Sequence, residues 1–467
     1  MLMTMKKIMI FAAAMLLMSS CGVYNKYERP DVDTQGLIRD AVSDVDTLAV
    51  QDTASFGNLP WRAVFTDPQL QALIEQGLQK NANLQNAALT VQMYETMLKA
   101  AKLAFLPAVS IGSSASPMGT IATLHTDPSV TTKSYSIPVA ASWTLDLFGN
   151  ILSQKRSTQM KLLGMKDYQM AVRAQVISGI ANSYYTLLML DRQLAIVTEM
   201  TEMTTEPWEM MTLQYQLGRV RSTGVQSAEA AYLSIQTQAN DMRRQIRSTE
   251  NALSLLIGQA GQQIPRSTLA EQSLPTEFST GVGVALLQNR PDVHNAEMQL
   301  ASCFHDVQTA RSQFYPNITV GASAAFTNSN GALNPGKWLT TLFGSLVQPV
   351  FARGALIANL KVSKLQYEQA FNTWQNAILS AGNEVSNALV NYNAYDANSK
   401  LEAQRIEVLT KNVDDTRQLY KSSGSSYLEV LTAQTQLLNA QISKVTDDFY
   451  KMQAVVSLYT ALGGGGK

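Results

Sequence analysis

Two cysteines and three histidines in 467 residues leave little material for a zinc site, an iron-sulfur cluster or a disulfide framework. No charge of either sign is in excess. The 36 basic and 36 acidic side chains cancel, which removes the electrostatic footprint of a nucleic-acid binder. Charged residues make up only 15% against 46% hydrophobic, so Gln, Asn, Ser and Thr must furnish much of the polar surface. Beyond the first twenty residues no stretch reaches the roughly 20 continuous apolar residues of a spanning helix. Any later bilayer crossing must use β-strands.

Catalytic constellations are missing too. His294 and His305 lie on one predicted helix without a third ligand. Cys303, among Ala301, Phe304 and Val307, reads as a small core residue. Asp414-Asp415 and Asp447-Asp448 read as wet helix faces, and the glycine run Gly463 to Gly466 precedes no helix, so it is no phosphate cradle. Met160, Met165, Met170, Met189, Met200, Met203, Met210 and Met211 share one long segment. Thioethers bind Cu(I), but flexible packing between helices is the commoner use. No catalytic residue, metal site or enzyme activity is expected.

What is present begins at the N-terminus. Lys6 and Lys7 precede the apolar run Ile8 to Met18, the layout of a secretory signal over residues 1–20. Met18-Ser19-Ser20-Cys21 resembles a lipobox, which makes Cys21 the expected site of a covalent lipid and of a membrane anchor; a plain signal peptide with an incidental Cys is the alternative.

The rest of the chain is a tandem duplication. Asn81 to Ala115 matches Arg290 to Ala324 at an offset of 209, pairing Ala87 with Ala296, Phe105 with Phe314, Pro107 with Pro316 and Gly112 with Gly321. Further on, Phe148-Gly149 is paired with Phe351-Ala352 and Ile257-Gly258 with Leu462-Gly463. Each half reads helix, strand, strand, long helix, return helix. Apolar Tyr135, Ile137, Val139, Ala141, Trp143 and Leu145 alternate with Ser136, Ala140, Ser142 and Thr144, and Ile318, Val320, Ala322, Ala324 and Phe326 alternate likewise. Trp338 to Val347 are ambiguous, and Pro138 cannot donate a ladder hydrogen bond. Helical stripes step by threes and fours through Val225 to Leu256, Phe371 to Tyr392 and Leu431 to Tyr459, the 3.5-residue period of coiled-coil packing. Asn150 to Leu217 predicts a nearly continuous helix of roughly 100 Å, with a kink or break at Pro207.

Two hairpins supply four candidate spanning strands, and four strands cannot close a barrel. Open edges in hydrocarbon would leave backbone groups unpaired at several kcal/mol each. Closure must come from other copies. Two would give an eight-stranded barrel filled by side chains and three a twelve-stranded one with a lumen; the residues alone do not choose between them. A soluble sandwich and a lipid-anchored structural coiled coil remain the other readings.

In order along the chain stand Tyr27-Glu28-Arg29-Pro30, then Trp61, Phe65, Asp67-Pro68, Leu70, Leu73-Ile74 and Asn81. Leu145-Asp146-Leu147-Phe148-Gly149 follows, then Arg290-Pro291-Asp292-Val293, Ala296-Glu297, Ala310-Arg311, Phe314 and Pro316-Asn317-Ile318. The series ends with Gln348-Pro349-Val350-Phe351, Gly354 and Glu384-Val385. This succession resembles the TolC-like outer-membrane efflux family, in particular its lipoprotein branch of the NodT type. The resemblance covers nearly the whole mature chain.

It implies an α+β membrane protein: a long coiled-coil helical barrel joined to a transmembrane β-barrel, four strands per chain and twelve in a homotrimer. It also implies outer-membrane localisation in a Gram-negative-type envelope, with the helical tunnel in the periplasm. The implied partners are a periplasmic adaptor, or membrane fusion protein, and an inner-membrane pump of the resistance-nodulation-division class. The duct makes and breaks no bond. A duct for secreted polypeptide uses the same architecture and is the alternative within transport.

The expected segments are 21–65, an extended lipidated stretch; 66–106, a helix; 107–146, the first hairpin; 147–258, long helices; 259–280, an equatorial linker; 281–315, a helix; 316–349, the second hairpin; 350–463, long helices; and 464–467, a tail. In such proteins hairpin tips close the periplasmic end, and the corresponding tips are Tyr215 to Ser227 and Tyr420 to Thr432. Gly224 stands where many members have Asp, Glu429 takes a common Asp position, and Thr432 replaces another acid. Arg219, Arg221, Gly224, Tyr420, Glu429 and Thr432 are therefore the gate candidates, three copies of Glu429 forming a cation-attracting constriction. Solvated helix ends are the plain alternative.

Overall fold

The computed structural model describes residues 25–32, 56–112, 114–118, 132–275, 290–329, 338–348, 353–422 and 426–466. The signal segment and Cys21 lie outside them. After a one-turn helix Trp61–Val64, α1 (Pro68–Lys80) and α2 (Ala82–Leu103) lead into β1 (Ala108–Ile111), β2 (Ser114–Met118) and β3 (Thr132–Leu145). The half closes with α3 (Asn150–Gln216) and α4 (Ser222–Leu256). The second half runs α5 (Pro291–Ser312), β4 (Asn317–Ser329), β5 (Trp338–Val347), α6 (Ala355–Lys421) and α7 (Tyr427–Ala461).

The repeat holds element by element. α2 and α5 have 22 residues each, α3 and α6 have 67, and α4 and α7 have 35. The offset is 209 before the hairpins and 205 after them, because the second hairpin is the shorter. One pairing is corrected by this change. The counterpart of Phe148-Gly149 is Arg353-Gly354 and not Phe351-Ala352: Gly149 and Gly354 both take a left-handed φ, 67° and 76°, directly before α3 and α6. The helix α3 runs unbroken through Pro207, so of the expected kink or break at that residue the break does not occur.

Two compact units share these elements. In the first (Met1–Val32, Thr90–Met165, Asn295–Trp374) lies the antiparallel sheet, with strand order β1-β3-β4-β5 and β2 also on β3. β1 and β2 keep one register against β3, Ile111 facing Val139 and Ser114 facing Ser136, so they form one strand path with a gap. Pro138 explains the gap. The Gly112 N–H donates to the Pro138 carbonyl at 2.9 Å, but proline has no N–H to return the second bond of the pair.

Register sorts the sheet into two faces. Val109, Ile111, Val139, Ala141, Trp143, Leu145, Ile318, Val320, Ala322, Leu342 and Leu346 share one. Ser110, Ala140, Ser142, Thr144, Asn317, Thr319, Gly321, Ser323, Thr341 and Ser345 share the other, where the Thr144 and Thr319 hydroxyls lie 3.4 Å apart. Apolar side chains on the first face stand open to the surroundings: Ile111 is 75% and Leu342 83% exposed, values that suit lipid and not water.

In the second unit (Asp33–Leu89, Lys166–His294, Gln375–Lys467) the predicted stripes are the buried ones. Ile196, Val197 and Met200 of α3 pack with Ile235 and Ala239 of α4 and with Leu438 and Val445 of α7. Val413 of α6 packs with Ala433 and Leu437 on the other side of α7. The methionines join this packing: Met189, Met203 and Met242 cover the first cluster. α4 and α7 end alike. Gly258 and Gly463 adopt φ of 69° and 84°, and the Gln259 and Gly464 N–H groups reach back to Ser254 and Tyr459 carbonyls, a Schellman closure in both repeats. The terminal glycines have a packing reason as well. A Cβ at Gly464 would lie 2.4 Å from the Tyr459 ring, and Arg173 donates to the Gly465 carbonyl at 2.8 Å.

Candidate functional site

The motif residues resolve into joints. The Asp67 carboxylate accepts from the Gln69 N–H at 2.8 Å, capping α1, and from the Tyr184 hydroxyl at 2.7 Å, Gln272 Nε2 at 2.9 Å and the Ser267 hydroxyl. One acid thus ties α1, α3 and the linker after α4. Asn81 Oδ1 caps α2 through the Asn83 and Leu84 N–H groups while its Nδ2 donates to the Leu256 carbonyl at 2.9 Å. Arg290, 6% exposed, donates to Asp292 and Glu384 and to the Ala461 carbonyl at the end of α7. In the first unit Asp146 accepts from the Ile151 and Leu152 N–H groups and starts α3, and Arg29 pairs with Glu297 on α5.

Other joints carried no sequence signal. Arg266 bridges Asp191 and Glu250 and is held further toward its charged form, first by its hydrogen bond to Asp191. It lines a 1140 Å³ cavity with Arg192, Leu269, Tyr392, Lys444 and Lys451. Asp448 is no simple wet residue: it accepts from Ser399 on α6 and from Lys444 one turn away. Among the described residues His294 and His305 have different neighbours. His294 Nδ1 lies 2.6 Å from Asp167, while buried His305 is pushed down to about 4 by burial and then by the Arg156 charge. Cys303 is half-buried, and burial pushes its thiol up.

At the hairpin tips the gate candidates divide. Gly218, at φ 71°, ends α3 in another Schellman turn, with the Arg219 N–H on the Gln214 carbonyl at 2.9 Å. Arg221 is the N-cap position of α4 and makes no side-chain cap. Both arginine side chains are exposed. Glu429 sits in the first turn of α7, where the helix dipole favours an acid, and accepts from Ser426 at 3.2 Å. Thr432 is exposed and donates to the Leu428 carbonyl.

Tyr420 and Gly224 are engaged instead in an apolar tip core. Met211 and Ala228 pack with Tyr427, Val430 and Leu431, and Tyr420 covers them with its ring 5.9 Å from that of Tyr427. Burial, aided by Tyr420, pushes the Tyr427 hydroxyl up to about 12. A Cβ at Gly224 would approach Met211 Cε to 2.8 Å, so glycine here admits the methionine. Trp208 stacks on Tyr232 at 4.9 Å. Sequence reasoning missed this core, although Tyr420 and Tyr427 flanking the turn were visible. The residues 423–425 between them lie outside the described ones.

The described residues offer a two-faced sheet paired on one side only at β1, β2 and β5, long helices joined at fixed points, and two hairpin tips packed together. The family model described as outer membrane efflux protein matches residues 73–259 and 282–464, one match per half. Cation efflux system protein CusC of Escherichia coli O157:H7 is 25% identical over 98% of this chain and 98% of its own. Solvent efflux pump outer membrane protein SrpC of Pseudomonas putida is 27% identical over 97% of this chain and 97% of its own. A solved structure of CusC superposes with a TM-score of 0.83 at 24% identity, covering 94% of this chain and 99% of that one.

Proposed function

The chain belongs to the outer membrane efflux protein family, and from that premise we propose that it is the exit duct of a tripartite efflux system, passing small toxic compounds outward. It resides in the outer membrane, as its relatives do. The observation that carries the reading is the sheet: an exposed apolar face, a polar face behind it, and four strand paths whose outer edges are unpaired among the described residues. Three copies would close them around a water-filled lumen. A periplasmic adaptor and an inner-membrane pump of the resistance-nodulation-division class complete the route and supply the energy. Cys21 carries a covalent lipid in this reading; Cys21→Ala should abolish incorporation of labelled fatty acid, and undiminished labelling would refute the anchor.

Arg219, Arg221, Tyr420 and Glu429 are proposed to narrow the periplasmic aperture when three tips converge. Full-length protein in planar bilayers should conduct ions, and Arg219→Ala combined with Glu429→Ala should raise single-channel conductance. A conducting protein with unchanged conductance would remove these residues from the gate. No conductance from an intact oligomer would remove the duct itself.

A further inference from the structure

The four strand paths of the sheet meet their helices in a zone of one charge sign. The fourteen residues on the helix side of each path, 94–107, 146–159, 303–316 and 348–361, hold seven Lys or Arg against three Asp or Glu, in a chain whose totals are equal. Two of those acids are engaged within the fold. Asp146 caps α3, and Asp306 accepts from Ser157 at 2.7 Å and lies 3.6 Å from Lys161. Lys99, Lys102, Arg353 and Lys361 are exposed, whereas Arg156 and Arg311 are half-buried.

The duplication repeats the charge. Lys102 and Arg311 correspond at the offset of 209, and Arg156 and Lys361 at 205, so each half carries a base at the same two places. Helix dipoles explain only part of this. Lys102 and Arg311 stand in the last turns of α2 and α5, where a cation is favoured. Arg353 stands just before α6, and Arg156 and Lys361 in the second turns of α3 and α6, near the pole that favours an acid; neither helix has an acid in its first turn. The poles alternate around the zone but the sign does not. An anionic partner outside the fold accounts for both.

An aromatic band separates these bases from the apolar face of the sheet. The Trp143 indole N–H donates to the Phe105 carbonyl at 2.8 Å, and Phe148 stacks on Tyr315 at 4.9 Å. Phe314, Leu106 and Leu147 beside them are exposed. Aromatic rings gather where hydrocarbon meets headgroups, which puts the bases just beyond the band at the depth of lipid phosphates. Resting on the outer-membrane duct reading, we propose that Lys102, Arg156, Arg311, Arg353 and Lys361 form a collar that binds the phosphate groups of anionic phospholipids in the periplasmic leaflet. Arginine offers those oxygens a planar fork and lysine a point charge.

The test titrates full-length, detergent-extracted protein with phosphatidylglycerol and with phosphatidylethanolamine of the same acyl chains, and reads bound lipid by native mass spectrometry. Wild type should prefer phosphatidylglycerol, and added salt should erode the preference. Lys102→Gln, Arg156→Gln, Arg311→Gln and Lys361→Gln together should lower the affinity for phosphatidylglycerol at least about tenfold and leave that for phosphatidylethanolamine unchanged. Lys102→Gln with Lys361→Gln alone, both at exposed positions, should lose an intermediate share. Exchanging lysine and arginine at the four sites should keep the preference. So should Arg243→Gln, Arg244→Gln, Lys400→Gln and Lys411→Gln, which remove four exposed charges from the second unit. An equal loss in that control would overturn the collar in favour of net charge. A wild type that inserts into liposomes but binds both lipids alike, or collar variants that keep the preference, would overturn the collar and leave the duct reading standing. A wild type that stays out of liposomes of either composition would overturn both.

Discussion

Asp67 shows how one side chain can hold three segments. Burial alone would raise its carboxyl, but hydrogen bonds from Ser267, Tyr184, Gln272 and the Gln69 N–H outweigh that and hold it below the usual carboxylate range. The unfolded carboxyl titrates near pH 4, so this contribution is fully present above about pH 4 and is lost as pH falls through the lower, folded value. Asp67→Asn keeps the shape but returns a donor to a site built of donors. It should cost about 1–3 kcal/mol at neutral pH and flatten the acid limb of stability, measured as the unfolding midpoint of the detergent-extracted protein across pH; an unchanged midpoint would mean the joint is idle. Asp67 was legible as a motif member followed by proline. Its partners were not, because Tyr184, Ser267 and Gln272 lie between 117 and 205 positions away and no local pattern announces them. The gate candidates show the converse. Their places at helix ends could be read from the chain, whereas the packing of Met211 against Gly224 across the α3–α4 turn could not.

Elements were more legible than residues, because period and repeat are properties of whole segments. The three helical stripes became the buried faces of α4, α6 and α7, and the equal lengths of repeated helices follow from the duplication. β5 could not be read alone: Leu342 and Leu346 follow the apolar face, but Phe343 and Val347 fall on the polar one and spoil the alternation. Pairing with β4 supplies the reason. Phe343 faces Gly321 and lies over it, where a Cβ would come within 2.4 Å of Cζ, so the ring fills the space that glycine leaves. Gly321→Ala should therefore displace Phe343 and cost about 1–3 kcal/mol as an overpacked site. Adding Phe343→Ala should restore part of the lost thermal midpoint, and a double variant no better than the single one would place the strain elsewhere. Pro138, a flaw in the sequence pattern, is a local gap in one strand path and leaves the register on either side intact.

At the scale of the whole molecule the unfilled requirements are what count. β1, β2 and β5 are paired on one side only among the described residues, and backbone edges cannot stay open in hydrocarbon. The helices ask for partners as well: Leu379, Val390, Leu401, Val408 and Leu419 of α6 are all exposed and recur at spacings of seven and eleven, which keeps them on one helix face. A strand count could be taken from the sequence and shows that the wall is incomplete. It could not give the number of copies, which depends on shear and tilt between chains. Native mass of the detergent-extracted full-length protein tests this most directly. The account predicts a single species at three times the mass of the processed chain, whereas a folded species at the mass of one chain would contradict it.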